Sequence, residues 1–510
     1  MNVYEMIAFV GYLVVVLGVG VYFFLKQRSI DEKSYFLGDK NMNGWVSALS
    51  AGASDMSAWV LMGLPGSIFL YGLGQVWISI GLWIGTIGAW VFVAPRLRRY
   101  AIVAQDSITL PQFLSNRFRT EKPTLRVASA VIFLVGYCLY GASSIFACGQ
   151  LFHMLIPTVS QTAAMIVAAI VILAYTLLGG FNAVCWTDFF QGMLMLGALM
   201  IVPCVALGVL NTSGSLGTVS TPDNYYNLLA GGEWNWKSIS TILTGLGWGL
   251  GYAGMPHILV RYMAIKSEKE MKKSQIIGSC WTGLILLMAT AVALVAHEFL
   301  GDTLAEADRN LVFVKVVRSI FSDGGWAILG GILISAIVAA SMSTADSQLL
   351  AASSAFSSDI YKTLSKKKVS DQKMLSVGRW AVVAVSLAAF ALALLVHLLQ
   401  IGGVMELVSA AWSIFGAAFG PTVLLALYWK RFTVQGACAA ILSGFGVSVL
   451  WMVLFHLESY GFRSLIADSG LYEIVPGFFF SLLTGWLVSK KTQPNEEAMQ
   501  VFDRAMTYRD

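Results

Sequence analysis

The chain has 510 residues, of which 57% are hydrophobic and 12% charged, with a net charge of +5. A mean hydropathy of +0.72 excludes both an ordinary soluble domain and a disordered chain, so lipid is the expected solvent for most of its surface. The positive balance does not point to nucleic acid, because the basic residues fall between apolar segments as membrane topology requires.

Thirteen apolar spans are expected, at about 5–26, 44–71, 73–98, 126–156, 160–180, 188–210, 238–262, 275–299, 324–359, 375–398, 404–428, 433–456 and 472–489, each near the length that crosses hydrocarbon. The first has no basic residue before it and no small-residue cleavage site after it, which predicts an uncleaved helix. With the N-terminus outside, 28 of the 33 basic residues fall on the cytoplasmic side, including Arg96, Arg98, Arg99, Lys266 to Lys273 and Lys366 to Lys368. Only Lys237, Arg309, Lys315, Arg318 and Arg463 fall outside. The resulting all-α membrane domain divides into a first helix with its cytoplasmic loop (1–43), a first five-helix repeat (44–210), an extracellular loop (211–237), a second repeat of inverted orientation (238–430), two further helices (431–489) and a mobile cytoplasmic tail (490–510). Outside, Leu304, Ala307, Leu311, Val314 and Val317 recur at helical spacing and predict a short amphipathic helix on the outer surface.

In the second span Asp55 stands among Gly52, Ser54 and Ser57, with Pro65 further on. Eleven residues of helix from Gly44 place it about 16 Å deep, near mid-membrane. A charge there is costly and normally faces a protein interior or a water-filled path, and small neighbours let the helix unwind to expose carbonyls. Sodium, a hard cation, takes carbonyl and hydroxyl oxygens, which an unwound turn at Ala53 to Met56 would offer. Asp55 then either coordinates the ion, or caps the next half-helix by accepting backbone N–H bonds or acts through its field; the capping or field role is preferred over coordination.

The seventh span carries Gly245, Gly247, Gly249, Gly251, Gly254 and Pro256. Helix breakers five spans apart are the basis for the two inverted repeats, and such broken helices mark a transporter's central site. Trp248, Tyr252 and Pro256 follow at i, i+4 spacing and predict an apolar wall with one phenol, the glycines leaving space beside the rings. In the ninth span Ala340, Ser343 and Thr344 share a helical face, either as one carbonyl and two hydroxyls for a cation or as hydroxyls bonded back to the preceding turn. Asp346 follows, facing a watery cytoplasmic vestibule. Cys138, Cys148, Cys185, Cys204, Cys280 and Cys438 lie singly and read as packing residues, and no HExxH, Walker A or GxSxG motif gives a foothold for enzymatic chemistry.

Several longer motifs carry a resemblance. They are Tyr-Thr-Leu-Leu-Gly-Gly-Phe-Asn-Ala at 175–183, Trp-Thr-Asp-Phe-Phe-Gln at 186–191 and the run from Phe415 to Arg431. Through these the chain resembles the sodium/solute symporter family over nearly its whole length, and Gly247 to Arg261 is similar to its proline-transporting branch. The resemblance implies a leucine-transporter-type core of two inverted five-helix repeats, with one helix before it and two after. It implies sodium ligation by the carbonyls of Ala53, Met56 and Ala340 and the hydroxyls of Ser343 and Thr344, with Asp55 and Ser57 at positions important for sodium and substrate. Asp188 matches a carboxylate on the inward sodium path, and Tyr140, Trp248, Tyr252 and Pro256 match positions around L-proline. Lys40 departs from the arginine frequent in enteric relatives and lacks its planar fork. The implied activity is import of L-proline with Na+ as coupling ion across a bacterial cytoplasmic membrane, without covalent cofactor or enzymatic step. The rivals are another solute such as pantothenate or a monocarboxylate, protons carried by Asp55 or Asp346, and a receptor or sensor of transporter-like fold; the last is disfavoured by the short C-terminal segment, as a channel is by two occluded half-sites.

Overall fold

A computed structural model describes residues 3–26, 32–178, 180–215, 217, 219, 221, 223–230, 232–301, 304, 306–322, 326–365, 369–456, 466 and 468–509. The expected cytoplasmic run Lys366 to Lys368 and the external Arg463 lie outside the described residues, as does Gly179 of the first motif. The described chain is helical apart from its connections and one isolated backbone bridge between Met42 and Ile265. Its main helices are α1 (Val3–Lys26), α2 (Gly44–Asp55), α3 (Leu64–Tyr71), α4 (Leu73–Val103), α5 (Thr124–Leu155), α6 (Gln161–Leu178), α7 (Phe181–Ser213), α8 (Trp236–Gly247) and α9 (Pro256–Met263). They continue as α10 (Glu268–Leu300), α11 (Val312–Phe321), α12 (Trp326–Ser354), α13 (Asp371–Leu399), α14 (Val404–Tyr428), α15 (Val434–His456), α16 (Ile474–Lys491) and α17 (Glu496–Thr507).

By length and composition, eight helices among the described residues can cross a membrane, and three further apolar stretches are shorter. Two of the expected spans fall out of the eight because each is broken. In the second span, Asn43 caps α2 by accepting from the Val46 N–H at 2.9 Å, and the helix stops at Asp55, with Met56 at φ −77°, ψ 68°. A π-helical turn, Trp59–Gly63, then leads into α3. In the seventh span α8 tightens into a 3-10 segment, Trp248–Ala253, before α9 starts at Pro256. Proline explains that restart: it disfavours helical geometry at Met255, found extended at ψ 108°, and its fixed φ suits the first turn of a helix.

The first half of one broken span, α2, and the second half of the other, α9, lie antiparallel and are joined at both ends. At one end the Met42 N–H donates to Ala264 O at 3.1 Å and Lys266 N–H donates to Met42 O at 3.0 Å. At the other, Tyr252 meets Asp55. α12 and α14 form the interior around this pair: 83% and 89% of their most apolar stretches are buried, against 22% for α15. Large side chains on outer helices, including Trp380, Leu387 and Leu398 on α13, are exposed, as a lipid-facing belt requires.

Glycine serves close helix approach at this centre. A Cβ on Gly251 would overlap the indole nitrogen of Trp412, so the space expected beside the rings of the seventh span is filled by an indole. The i, i+4 wall also fails as a single face, because Trp248 and Tyr252 belong to the 3-10 segment and Pro256 begins the next helix.

Two peripheral expectations change. The C-terminal segment is not a mobile tail: Ala498, Val501, Phe502 and Ala505 form the buried face of α17, which packs beside the end of α4. Buried Arg117 donates there to Ala498 O at 3.3 Å, and Lys430 pairs with Asp503 at 2.6 Å. The amphipathic helix expected over 304–317 begins later, as α11, with Leu311 closing a preceding 3-10 segment, Glu306–Leu311, and with Val314 and Val317 on the buried face. The six cysteines are all free; Cys204 and Cys280 are exposed.

Candidate functional site

The centre is built where the unwound end of α2 meets α12. Ser343 Oγ donates to Ala53 O at 3.0 Å and to Ala340 O at 3.1 Å, and Thr344 Oγ1 donates to Ala53 O at 3.5 Å. All of these residues are fully buried. The hydroxyls thus do more than bond back along their own helix: they cross to the carbonyl freed by the break. Four expected sodium ligands, Ala53, Ala340, Ser343 and Thr344, come to one locus, and their oxygens are the hard donors a sodium ion takes. Met56 lies in the unwound turn with its N–H on Gly52 O at 2.8 Å, and makes no hydrogen bond to α12 among those described.

Asp55 departs from the capping expectation. Its carboxylate does not cap the next half-helix; Oδ2 accepts a hydrogen bond from the Tyr252 hydroxyl on the other broken helix. Its backbone carbonyl accepts from the Tyr140 hydroxyl at 3.2 Å and from Nε1 of Trp59 at 3.1 Å. Ser57 serves the following turn instead, its Oγ accepting from the Trp59 N–H at 3.5 Å.

The tie adjoins a buried aromatic group. Trp248 stacks with Trp59 at a centroid distance of 6.2 Å and with Tyr472 at 5.0 Å, while Tyr252 meets Trp412 edge-on at 5.2 Å. Nε1 of Trp412 donates to the Trp248 carbonyl at 2.8 Å. Pro256 stands apart from these rings. It lines a narrow cleft with Phe181, Arg261, Ser347, Thr109 and Asp359.

Asp188 is brought near the centre by a network that sequence reading missed. Its Oδ2 accepts from Ser50 Oγ at 2.6 Å, Arg261 Nη2 at 2.8 Å and Ser347 Oγ at 3.4 Å. Arg261 was expected among the cytoplasmic basic residues, yet only 3% of it is exposed and it forms a buried ion pair. The available signal was an ionisable residue inside an apolar span, which normally faces the interior with a partner. Asp346 is likewise buried rather than in a watery vestibule, and neither of its carboxylate oxygens has a hydrogen-bond partner among the described residues.

Outside the membrane-spanning segments, Lys40 donates to Asp106 Oδ1 and Lys33 to Oδ2 at 2.5 Å. Burial alone would raise the Asp106 carboxyl, but the two lysine hydrogen bonds outweigh it and hold the group below its ordinary range. Burial lowers the Lys40 ammonium, with Asp106 opposing that shift. The Lys40 to Asp106 contact is therefore a point-charge tie, in keeping with lysine's lack of a fork.

A model of the sodium:solute symporter family matches residues 35–444. The high-affinity proline transporter PutP of Bacillus subtilis is 40% identical over 499 residues, covering 96% of this chain and 98% of its own. The sodium/proline symporter of Staphylococcus aureus strain JH9 is 38% identical over 492 residues, covering 94% of this chain and 91% of its own. Among solved structures, a Na+-coupled sialic acid symporter in a substrate-bound outward-open state aligns with a TM-score of 0.75 at 19% identity, over 97% of this chain and 99% of that one; this likeness shows the fold. With an extended family match and two full-length relatives agreeing, the chain belongs to the sodium:solute symporter family.

Proposed function

We propose that this protein imports L-proline together with sodium by alternating access, as a secondary active transporter of a bacterial cytoplasmic membrane. Support for the solute comes from the two relatives, named for proline transport. Support for the coupling comes from one geometric relationship: Ala53, which the Ser343 and Thr344 hydroxyls reach, lies two residues before Asp55, which Tyr252 holds.

In this reading sodium is bound by the carbonyls of Ala53, Met56 and Ala340 and the hydroxyls of Ser343 and Thr344. Fixing Ala53 orders the last turn of α2, which positions Asp55 against Tyr252 and so orders the second broken helix. Proline is held around that helix by Ser57, Tyr140, Trp248, Tyr252 and Pro256. The coupling is reciprocal: if sodium raises proline affinity, proline raises sodium affinity by the same factor. Asp188 receives the ion on its inward path, and the membrane potential contributes about 2.3 kcal/mol per charge per 100 mV.

The same proposal carries the finer architecture. Thirteen spans place the N-terminus outside and the C-terminus in the cytoplasm, and the helices of 44–210 and 238–430 form the two inverted repeats, a reading supported by the antiparallel broken pair. Competition against labelled proline by a panel of amino acids, pantothenate and monocarboxylates tests the solute. Proline is expected to compete best; equal or better competition by another solute class overturns the assignment.

A further inference from the structure

We propose that the groove between α4, α10 and the end of α14 binds the phosphate headgroup of an anionic phospholipid. The groove has a volume of about 310 Å³ and is lined by Arg96, Arg98, Arg99 and Lys272 against a single carboxylate, Glu268. That carboxylate is already engaged, 2.7 Å from Nε of Arg99. An excess of cation converges on one concave site, where the topological bias of basic loops alone would scatter it over convex surface.

The local sequence explains why the groove exists. Proline at position 95 has no N–H for the carbonyl four residues earlier, and the preceding turn, Ala89–Val93, widens into a π-helix. Carbonyls released there are met from across the groove: Gln275 Nε2 donates to Trp90 O at 2.8 Å and the Tyr428 hydroxyl to Phe92 O at 2.8 Å. Arg96 is held by the same wall, its guanidinium 3.8 Å from the Tyr428 ring centroid and Nη1 donating to Leu427 O at 3.3 Å. The site is thus preformed by side chains that fix the arginine before any ligand arrives.

The same widened turn selects a lipid over a soluble phosphate. Val91 and Phe92 line the groove and are 47% and 60% exposed on a helix apolar enough to span a membrane. They offer an apolar track for acyl chains directly beside the cations. Arg98 links the groove to the broken helices, donating to Ile265 O at 2.6 Å and Lys266 O at 2.8 Å beside the Met42 bridge.

The test is thermal stabilisation of the purified full-length protein in neutral detergent, titrated with phosphatidylglycerol or with phosphatidylcholine. Phosphatidylglycerol is expected to stabilise at lower concentration. Lys272→Gln, a substitution at an exposed position, should weaken that effect about fivefold, the worth of one cation near a charged lipid surface, while Lys272→Arg keeps it. Equal action of the two lipids, or Lys272→Gln matching wild type, overturns the site. Equal stabilisation by soluble glycerophosphoglycerol overturns the lipid as its occupant. Neither result bears on proline or sodium.

Discussion

The Tyr252 hydroxyl donates a hydrogen bond to the Asp55 carboxylate, joining residues 197 positions apart and tying together the two interrupted helices at their unwound ends. Both side chains are buried, so this tie is protected from water, and it leaves Asp55 facing the second broken helix rather than its own. A bond of this kind, to a charged group in a dry interior, is worth about 1.5–3 kcal/mol. Tyr252→Phe keeps the ring against Trp412 and removes only the donor. Proline uptake is expected to fall by about tenfold to a hundredfold at unchanged membrane content of protein. Uptake at the wild-type rate would contradict the tie.

The hydroxyls of α12 are predicted to act on sodium before they act on proline. Ser343→Ala or Thr344→Ala removes one oxygen of the proposed ligand set and the contact to Ala53. Each should raise the half-saturating sodium concentration by about tenfold, with a smaller change in the proline KM measured at saturating sodium. A sodium dependence identical to wild type in both variants would defeat the ligand assignment.

Arg261 and Asp188 should behave as a unit. Removing one partner of a buried ion pair leaves an uncompensated charge and costs about 3–5 kcal/mol, so Arg261→Gln is expected to lower the thermal midpoint sharply. The double variant Arg261→Gln/Asp188→Asn should recover part of that loss. Strictly additive losses in the double-mutant cycle would show that the two groups are not coupled.

Acid should loosen the connection after α4. The folded Asp106 carboxyl titrates below its ordinary value because Lys33 and Lys40 donate to it. Its stabilising contribution is therefore complete above the usual carboxylate range, about pH 4, and is lost as the pH falls through the lower folded value. Hydrogen exchange at residues 104–109 should accelerate across that window in the wild type. In Asp106→Asn it should already be fast at neutral pH and lack the step; a step of equal size would assign the effect elsewhere.

Much of the centre was legible because breakers and spacing are local properties. Gly52, Ser54, Ser57 and Pro256 announce where helices fail, and Ala340, Ser343 and Thr344 must share a face if the ninth span is helical. The partners of these residues were not legible, since periodicity does not fix which helices meet or in what register. Asp55 therefore read as a cap when its oxygen points to Tyr252, and Gly251 read as leaving space when Trp412 occupies it. Ser50 and Ser347 carried no signal of their own, becoming part of the site only through Arg261 and Asp188. The docked C-terminal helix could have been found, because Ala498, Val501, Phe502 and Ala505 recur at i, i+3, i+4 and i+7.

The central claim is tested most directly by proline accumulation in proteoliposomes containing only this protein, with an inward sodium gradient imposed and a potassium gradient as control. Sodium should drive proline above its external concentration, collapse of the gradient should release it, and potassium should not substitute. Equilibration without accumulation, or accumulation of the same size without sodium, would contradict sodium-coupled proline import.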